Sequence, residues 1–149
     1  MVDSLIMPRE EYERLLACAR ECLPEEACGL LGGVEEPAGG QAVGRIERVY
    51  PLENVDHSNE HFTMEPRDQL GAVKDIRARG WQLLGNWHSH PETPSRPSEE
   101  DKRLAHDPSA CYLILSLQDA ESPVLNAFHV SREKDVSRVP LAIVDEGRD

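Results

Sequence analysis

The sequence contains no long hydrophobic run and no C-x-x-C pair, and each absence excludes a class of protein. No apolar stretch reaches the roughly 18 residues that span a bilayer, and the N-terminus lacks the basic and apolar regions of a secretory signal. The four cysteines, Cys18, Cys22, Cys28 and Cys111, favour neither a disulfide framework nor a cysteine-ligated zinc site. We therefore expect a cytoplasmic protein with no membrane partner.

Basic residues are also scarce relative to acidic ones. Lysine and arginine total 16 against 28 aspartates and glutamates, which gives a formal net charge of −12. Such a surface repels a phosphate backbone instead of releasing its counterions. We accordingly expect no nucleic-acid partner.

The length and the apolar content are those of one globular domain. The chain has 149 residues, 39% of them hydrophobic, and domains commonly span roughly 100 to 200 residues. Apolar runs such as "CYLILSL" at 111–117 supply buried strands. We predict a single domain over 1–149, with about 145–149 as a frayed tail.

The first half of the chain alternates strand and helix patterns. Apolar residues from Tyr12 to Leu23 recur at steps of three and four, which is typical of an amphipathic helix, and Pro24 ends it. The predicted elements are a strand at 4–7, a helix from Pro8 to Leu23, a strand at 27–33, a loop or hairpin tip at 35–41 and a strand at 42–52.

The second half continues the alternation, so we expect an α/β or α+β fold around one central sheet. Gly80 ends a second helix, and Ser98 begins a third. The predicted elements are a loop at 53–61, a short strand at 62–64, a helix at 66–79, strands at 81–87, 111–117, 124–130 and 139–144, and a short helix after Ser98.

The stretch "HSHPETPSRPSEED" at 88–101 concentrates the chemistry. Its last part, "SEED", is a capping box that would only start a helix, and a lone histidine is more often a surface or core residue than a metal ligand. Two histidines at this spacing favour metal binding more than a lone histidine does. In a strand, His88 and His90 project from one face about 6 to 7 Å apart. Together with Asp101 they could bind one metal ion and leave a fourth position open, as in catalytic zinc sites.

The loop between these ligands is restricted by Pro91, Pro94 and Pro97. Proline lowers the conformational freedom of the loop and hence the entropic cost of holding Asp101 against the histidines. The hydroxyl of Ser98 could cap the helix in one state and stabilise an oxyanion in another.

The motif H-S-H, seven residues and then S-x-x-D resembles that of the JAMM (MPN+) metalloprotease family at every position. The upstream segment "PEEACGLLGG" at 24–33 is similar to that of its bacterial stand-alone members, which carry E-x-C-G-L-L. Spacing alone does not separate Glu25 from Glu26, and the family register selects Glu26.

The resemblance implies both a fold and a set of roles. The fold would be a single JAMM/MPN-like, cytidine-deaminase-like domain with a central, curved, mixed β-sheet flanked by helices. One Zn²⁺ per chain would be bound by His88, His90 and Asp101. Glu26 would act as general base, and Ser98 would stabilise the tetrahedral intermediate.

The activity that this resemblance implies is a zinc-dependent metallo-isopeptidase or peptidase. It would hydrolyse an amide bond at the C-terminal Gly-Gly tail of a ubiquitin-like or sulfur-carrier protein. The alternative is a non-catalytic MPN-type interaction scaffold, although all the metal ligands are retained here. A zinc deaminase would require H-x-E and P-C-x-x-C motifs, and neither occurs in the sequence.

Overall fold

A computed structural model describes residues 1–145 of the chain. The predicted tail lies outside the described residues except for Asp145, whose carboxylate accepts a hydrogen bond from Arg9 Nε at 2.6 Å. Eleven helices and strands occur in the described part, in the order β1 (Ser4–Pro8), α1 (Arg9–Cys22), β2 (Cys28–Ala38), β3 (Gln41–Leu52), α2 (Pro66–Ala78), β4 (Gln82–His90), α3 (Glu99–Leu104), β5 (Cys111–Ser116), β6 (Val124–Val130), β7 (Val136–Val139) and β8 (Leu141–Val144).

One mixed sheet contains all eight strands, in the order β7-β6-β5-β4-β2-β3-β1-β8. The pairs β1–β3, β1–β8 and β4–β5 are parallel, and the others are antiparallel. The two edge strands, β7 and β8, are separated in the chain by Pro140 alone. Because consecutive Cα atoms are only about 3.8 Å apart, the sheet must curve until its edges nearly meet. The mixed, curved sheet flanked by helices is the predicted fold.

Apolar residues pack on both faces of this sheet. Side chains alternate along a strand, so the adjacent residues Leu30 and Leu31 of β2 belong to two different clusters. Leu31 packs with Leu15 of α1 and with Trp87 of β4. Leu30 packs on the other face with Ala72 and Ile76 of α2. Because His88 follows Trp87 in β4, it lies on the face of the sheet that α2 partly covers.

Three strand predictions differ from the structure. Strand β2 does not end at Gly32 and Gly33, where it contains a bulge, but continues to Ala38. Residues 62–64 form only an isolated bridge between Asn54 and Met64. The predicted strand at 139–144 is two strands, since Pro140 has no N–H to continue the ladder.

Strand β2 contains glycines because its backbone lies very close to that of β3, and these glycines do not end the strand. A Cβ atom on Gly33 would lie 2.0 Å from the carbonyl oxygen of Arg45. A Cβ on Gly29 would lie 1.9 Å from that of Tyr50. The glycines thus permit tight backbone packing, whereas the sequence pattern alone indicated a strand end.

Candidate active site

Strand β4 brings two histidines together near the centre of the sheet. β4 pairs with β2 on one side and with β5 on the other, so its backbone is fixed from both directions. His88 and His90 are each 3% exposed, and their Nε2 atoms are 3.1 Å apart. The predicted same-face arrangement of the two imidazoles is therefore present.

The third predicted ligand arrives from the first turn of α3. The Oδ2 atom of Asp101 lies 3.1 Å from His88 Nε2 and 3.0 Å from His90 Nε2. The same oxygen accepts a hydrogen bond from the backbone N–H of Ser98 at 2.9 Å, while Ser98 Oγ accepts one from Asp101 N at 3.0 Å. The capping box is thus real, and it also orients the carboxylate towards the histidines.

This donor set fits a zinc ion. Four-coordinate zinc with bonds of about 2.0 to 2.1 Å places neighbouring ligand atoms about 3.3 Å apart, close to the observed separations of 3.0 to 3.1 Å. His90 Nδ1 lies 2.9 Å from the carbonyl oxygen of Pro94, which can only accept a hydrogen bond. In the neutral ring, Nε2 is therefore unprotonated and can bind a metal.

The local electrostatics also suit metal binding. Burial alone would raise the pKa of Asp101, but its hydrogen bonds with His88 and His90 outweigh burial and hold the pKa well below its ordinary value. Burial lowers the pKa of His88, which favours the neutral ring. Burial also acts to lower the pKa of His90, but its hydrogen bonds with Asp101 and Pro94 outweigh burial and raise that pKa. Within residues 1–145, these three residues are the one cluster with ligand atoms close enough to share an ion.

Glu26 immediately precedes the segment that enters β2, and its carboxyl group is buried. The residue is 3% exposed, and its Oε1 has no hydrogen-bond partner among the described residues. Burial raises its pKa to about 8; the charge on Asp101 adds to this shift, and His90 opposes it. A carboxylate in this environment is suited to proton transfer near neutral pH.

Glu25 has a different environment. Its side chain is 38% exposed, and its Oε1 lies 3.0 Å from His57 Nδ1. Of the two adjacent glutamates that the sequence offers, Glu26 is the buried one, and the charges on His90 and Asp101 act on its pKa.

Ser89 connects the histidine strand to the segment that carries Glu26. Its hydroxyl accepts a hydrogen bond from Ala27 N at 2.8 Å, and its own N–H donates to Ala27 O at 3.0 Å. The residue between the two histidines therefore holds the neighbour of Glu26 against β4. The sequence indicated no role for Ser89, since a serine between two candidate ligands has no pattern of its own.

The loop after β3 covers the other side of the site. The ring of Phe62 stacks on that of His88, with centroids 4.7 Å apart and planes inclined by 29°. A cavity of about 170 Å³ begins beside Asp101 and lies between this loop and α3. It is lined by Phe62, Asn86, Asp101, Leu104, Ala105 and Tyr112.

Comparison with known proteins identifies the family. The family described as "prokaryotic homologs of the JAB domain" matches residues 8–130. The chain belongs to this family, whose domain is the JAB/MPN domain expected from the two sequence motifs.

Individual relatives agree with this membership. The chain is 28% identical over 142 residues to a protein of Mycobacterium tuberculosis named CysO-cysteine peptidase, with 95% of this chain and 92% of the relative covered. It is 28% identical over 117 residues to a desampylase of Haloferax volcanii, with 75% and 80% covered.

A solved structure extends the agreement to the fold. The solution structure of a protein from Desulfitobacterium hafniense is 50% identical and superimposes with a TM-score of 0.85, covering 95% of this chain and 94% of the other.

The chain is a hydrolytic enzyme, which favours the catalytic interpretation of the motif over the scaffold alternative. The relatives are named as a peptidase and a desampylase, and His88, His90 and Asp101 lie close enough together here to hold a metal ion. None of the helices described in residues 1–145 has the length and apolar character needed to cross a membrane.

Proposed function

We propose that this enzyme is a zinc-dependent peptidase or isopeptidase that acts at the C-terminal Gly-Gly tail of a ubiquitin-like or sulfur-carrier protein. The observation that carries the proposal is the convergence of His88, His90 and Asp101 to within 3.1 Å beside the buried carboxyl group of Glu26. The names of the relatives support peptidase action on conjugates of ubiquitin-like carriers.

The metal ligands in this proposal are His88, His90 and Asp101, with one zinc ion per chain. Bound zinc supplies Lewis-acid chemistry, polarising a carbonyl oxygen and easing the ionisation of water towards neutral pH. The protein contributes two imidazoles and one carboxylate, and a further hydrogen bond orients two of these three groups. The Pro94 carbonyl orients His90, and the Ser98 amide orients Asp101.

Glu26 acts as general base and then as general acid. Its carboxylate takes a proton from the water that attacks the scissile carbonyl carbon, which frees the water oxygen to form the new C–O bond. When the C–N bond breaks, Glu26 returns that proton to the leaving amine nitrogen. General bases of this kind contribute roughly 10² to 10⁴-fold to the rate.

Ser98 stabilises the charge that develops on the former carbonyl oxygen. Its Oγ already accepts a hydrogen bond from Asp101 N, so the hydroxyl proton remains available for donation. An oxyanion within reach would receive that hydrogen bond, as donors do in oxyanion holes.

The substrate reaches the site as an extended tail. The cavity beside Asp101, about 170 Å³ in volume, admits a side chain or a short peptide segment and not a folded domain. Glycine residues suit a backbone that must pass close to the metal ligands. The net charge of −12 favours a carrier with a basic surface.

The substrate class is tested by following the mass of the carrier. A bacterial ubiquitin-like sulfur carrier with an amino acid attached to its C-terminal glycine is incubated with the zinc-loaded protein or with its Glu26→Gln variant. The proposal predicts loss of the attached residue only with the parent protein. Cleavage of unrelated short peptides while several such adducts stay intact would contradict it.

A further inference from the structure

The side chain of Asn54 is the hydrogen-bonding centre of the loop that follows β3. The residue is 6% exposed, and both ends of its amide are used. Nδ2 donates to the carbonyl oxygens of Glu26 at 3.0 Å and His61 at 3.1 Å. Oδ1 accepts from the backbone N–H groups of Asp56 and Thr63, each at 3.1 Å.

These bonds fold the loop against the segment that carries Glu26. Bonds from Asp56, His61 and Thr63 to one side chain bring the two ends of the loop together. The folded loop then presents the carbonyl oxygen of Ser58 to the backbone N–H of Glu26 at 2.7 Å. Asn54 binds the Glu26 carbonyl directly, so both polar backbone groups of Glu26 are held by the same loop.

The carboxyl group of Glu26 depends on this backbone support. Its Oε1 has no hydrogen-bond partner among residues 1–145. With no hydrogen bond to hold it, that oxygen is placed by the backbone of Glu26 together with the packing around the buried side chain. A shift of the backbone by a few tenths of an ångström is transmitted to the reacting oxygen, and catalytic groups tolerate only about 0.5 Å of displacement.

We propose that Asn54 is a positioning residue for hydrolysis, which acts by fixing the backbone of Glu26 through its Nδ2 donor. The inference rests on the proposed role of Glu26 as general base. Asn54 supports none of the three metal ligands by a direct hydrogen bond in the described part of the chain. Its removal should therefore act on proton transfer and not on metal binding.

Replacement of Asn54 by aspartate tests the amide donor separately from the amide acceptor. Asn54→Asp keeps an acceptor for Asp56 N and Thr63 N, but it removes the donor and places a carboxylate oxygen against the carbonyl oxygens of Glu26 and His61. The loop keeps its acceptor bonds while the bond to Glu26 is lost. Asn59→Asp is a matched control in the same loop, because Asn59 is exposed and, among residues 1–145, its Nδ2 donates a hydrogen bond to Glu92 alone, at 3.4 Å.

The test is a double-mutant cycle with Glu26→Gln, in which kcat and KM for a carrier adduct are measured with substrate in excess. Asn54→Asp should lower kcat by roughly 10 to 100-fold, as substitutions of supporting residues commonly do, and leave KM nearly unchanged. In the Glu26→Gln background it should change the residual rate by less than about twofold, since a residue that acts through Glu26 loses its effect when the base is gone. Asn59→Asp should match the parent protein.

Two further readouts do not depend on turnover. The zinc dissociation constant of Asn54→Asp should equal that of the parent protein. Amide hydrogen exchange at Glu26 N should become faster in the variant, because the loop no longer holds it. If Asn54→Asp does not fold, as judged by thermal unfolding, the same cycle is run with Asn54→Ser, whose hydroxyl lies one bond nearer the backbone than Nδ2 and so cannot span the 3.0 Å contact to the Glu26 carbonyl.

Several outcomes would overturn the inference. One is an unchanged kcat in Asn54→Asp, and another is an equal fall in rate with and without Glu26→Gln, which would indicate a general structural effect. Loss of zinc affinity in proportion to the loss of kcat would also contradict it. Full activity of Glu26→Gln by itself would instead refute the proposed function, so the two failures are distinguishable.

Discussion

The proposed metal ligands and the proposed general base are held in different ways. His88, His90 and Asp101 lie within one stretch of 14 residues, and Asp101 is oriented by the capping box of its own helix. Glu26 lies far from that stretch in sequence, and its segment is held by Ser89 and by the loop at 53–64. The proposed ligands are therefore positioned mainly by residues near them in the sequence, whereas the position of the proposed base depends on contacts with residues far along the chain.

The largest loss of activity is expected when one of the proposed metal ligands is removed. His90→Ala removes an imidazole that is 3.0 to 3.1 Å from the other two ligand atoms, and a two-ligand site should not retain zinc. Metal analysis should show about one zinc per chain in the parent protein and none in the variant, with no detectable hydrolysis. His106→Ala, which changes an exposed histidine, is the control and should retain both. Full zinc occupancy in His90→Ala would refute the ligand assignment.

A smaller effect is expected at the capping box. Ser98→Ala removes the acceptor for Asp101 N and the proposed donor to the oxyanion, but leaves all three ligands in place. The variant should bind zinc, lose less activity than His90→Ala and lose roughly 1 kcal/mol of stability, as N-cap substitutions do. Turnover and thermal unfolding measure these two effects. An activity loss as complete as that of His90→Ala would mean that Ser98 also maintains the metal site.

The local half of the site could be predicted from the sequence. A strand places residues two apart on one face, and the S-x-x-D pattern marks a helix start, so His88, His90, Ser98 and Asp101 could be placed before the structure was known. The structure brings the two histidines and Asp101 together, and Ser98 is hydrogen-bonded to Asp101. Glu25 and Glu26 could not be separated by spacing, because their burial depends on residues far along the chain.

The parts that could not be predicted depend on tertiary contacts. No sequence pattern indicated what Ser89 and Asn54 hold in place, since their partners lie 62 and 28 residues away. The fold shows the same limit. An apolar run over 139–144 is compatible with one strand, and its division between opposite edges of the sheet at Pro140 follows from the closure of the whole sheet.

We propose that Glu26 transfers protons at a zinc site built by other residues, so its replacement should stop turnover and leave the zinc bound. Zinc content and turnover of a carrier adduct are determined side by side for Glu26→Gln and Glu25→Gln. The glutamine retains size and polarity but cannot take a proton, so Glu26→Gln should keep its zinc and lose roughly 10² to 10⁴-fold in rate, while Glu25→Gln resembles the parent protein. If Glu25→Gln were inactive while Glu26→Gln remained active and zinc-loaded, Glu25 and not Glu26 would be the general base.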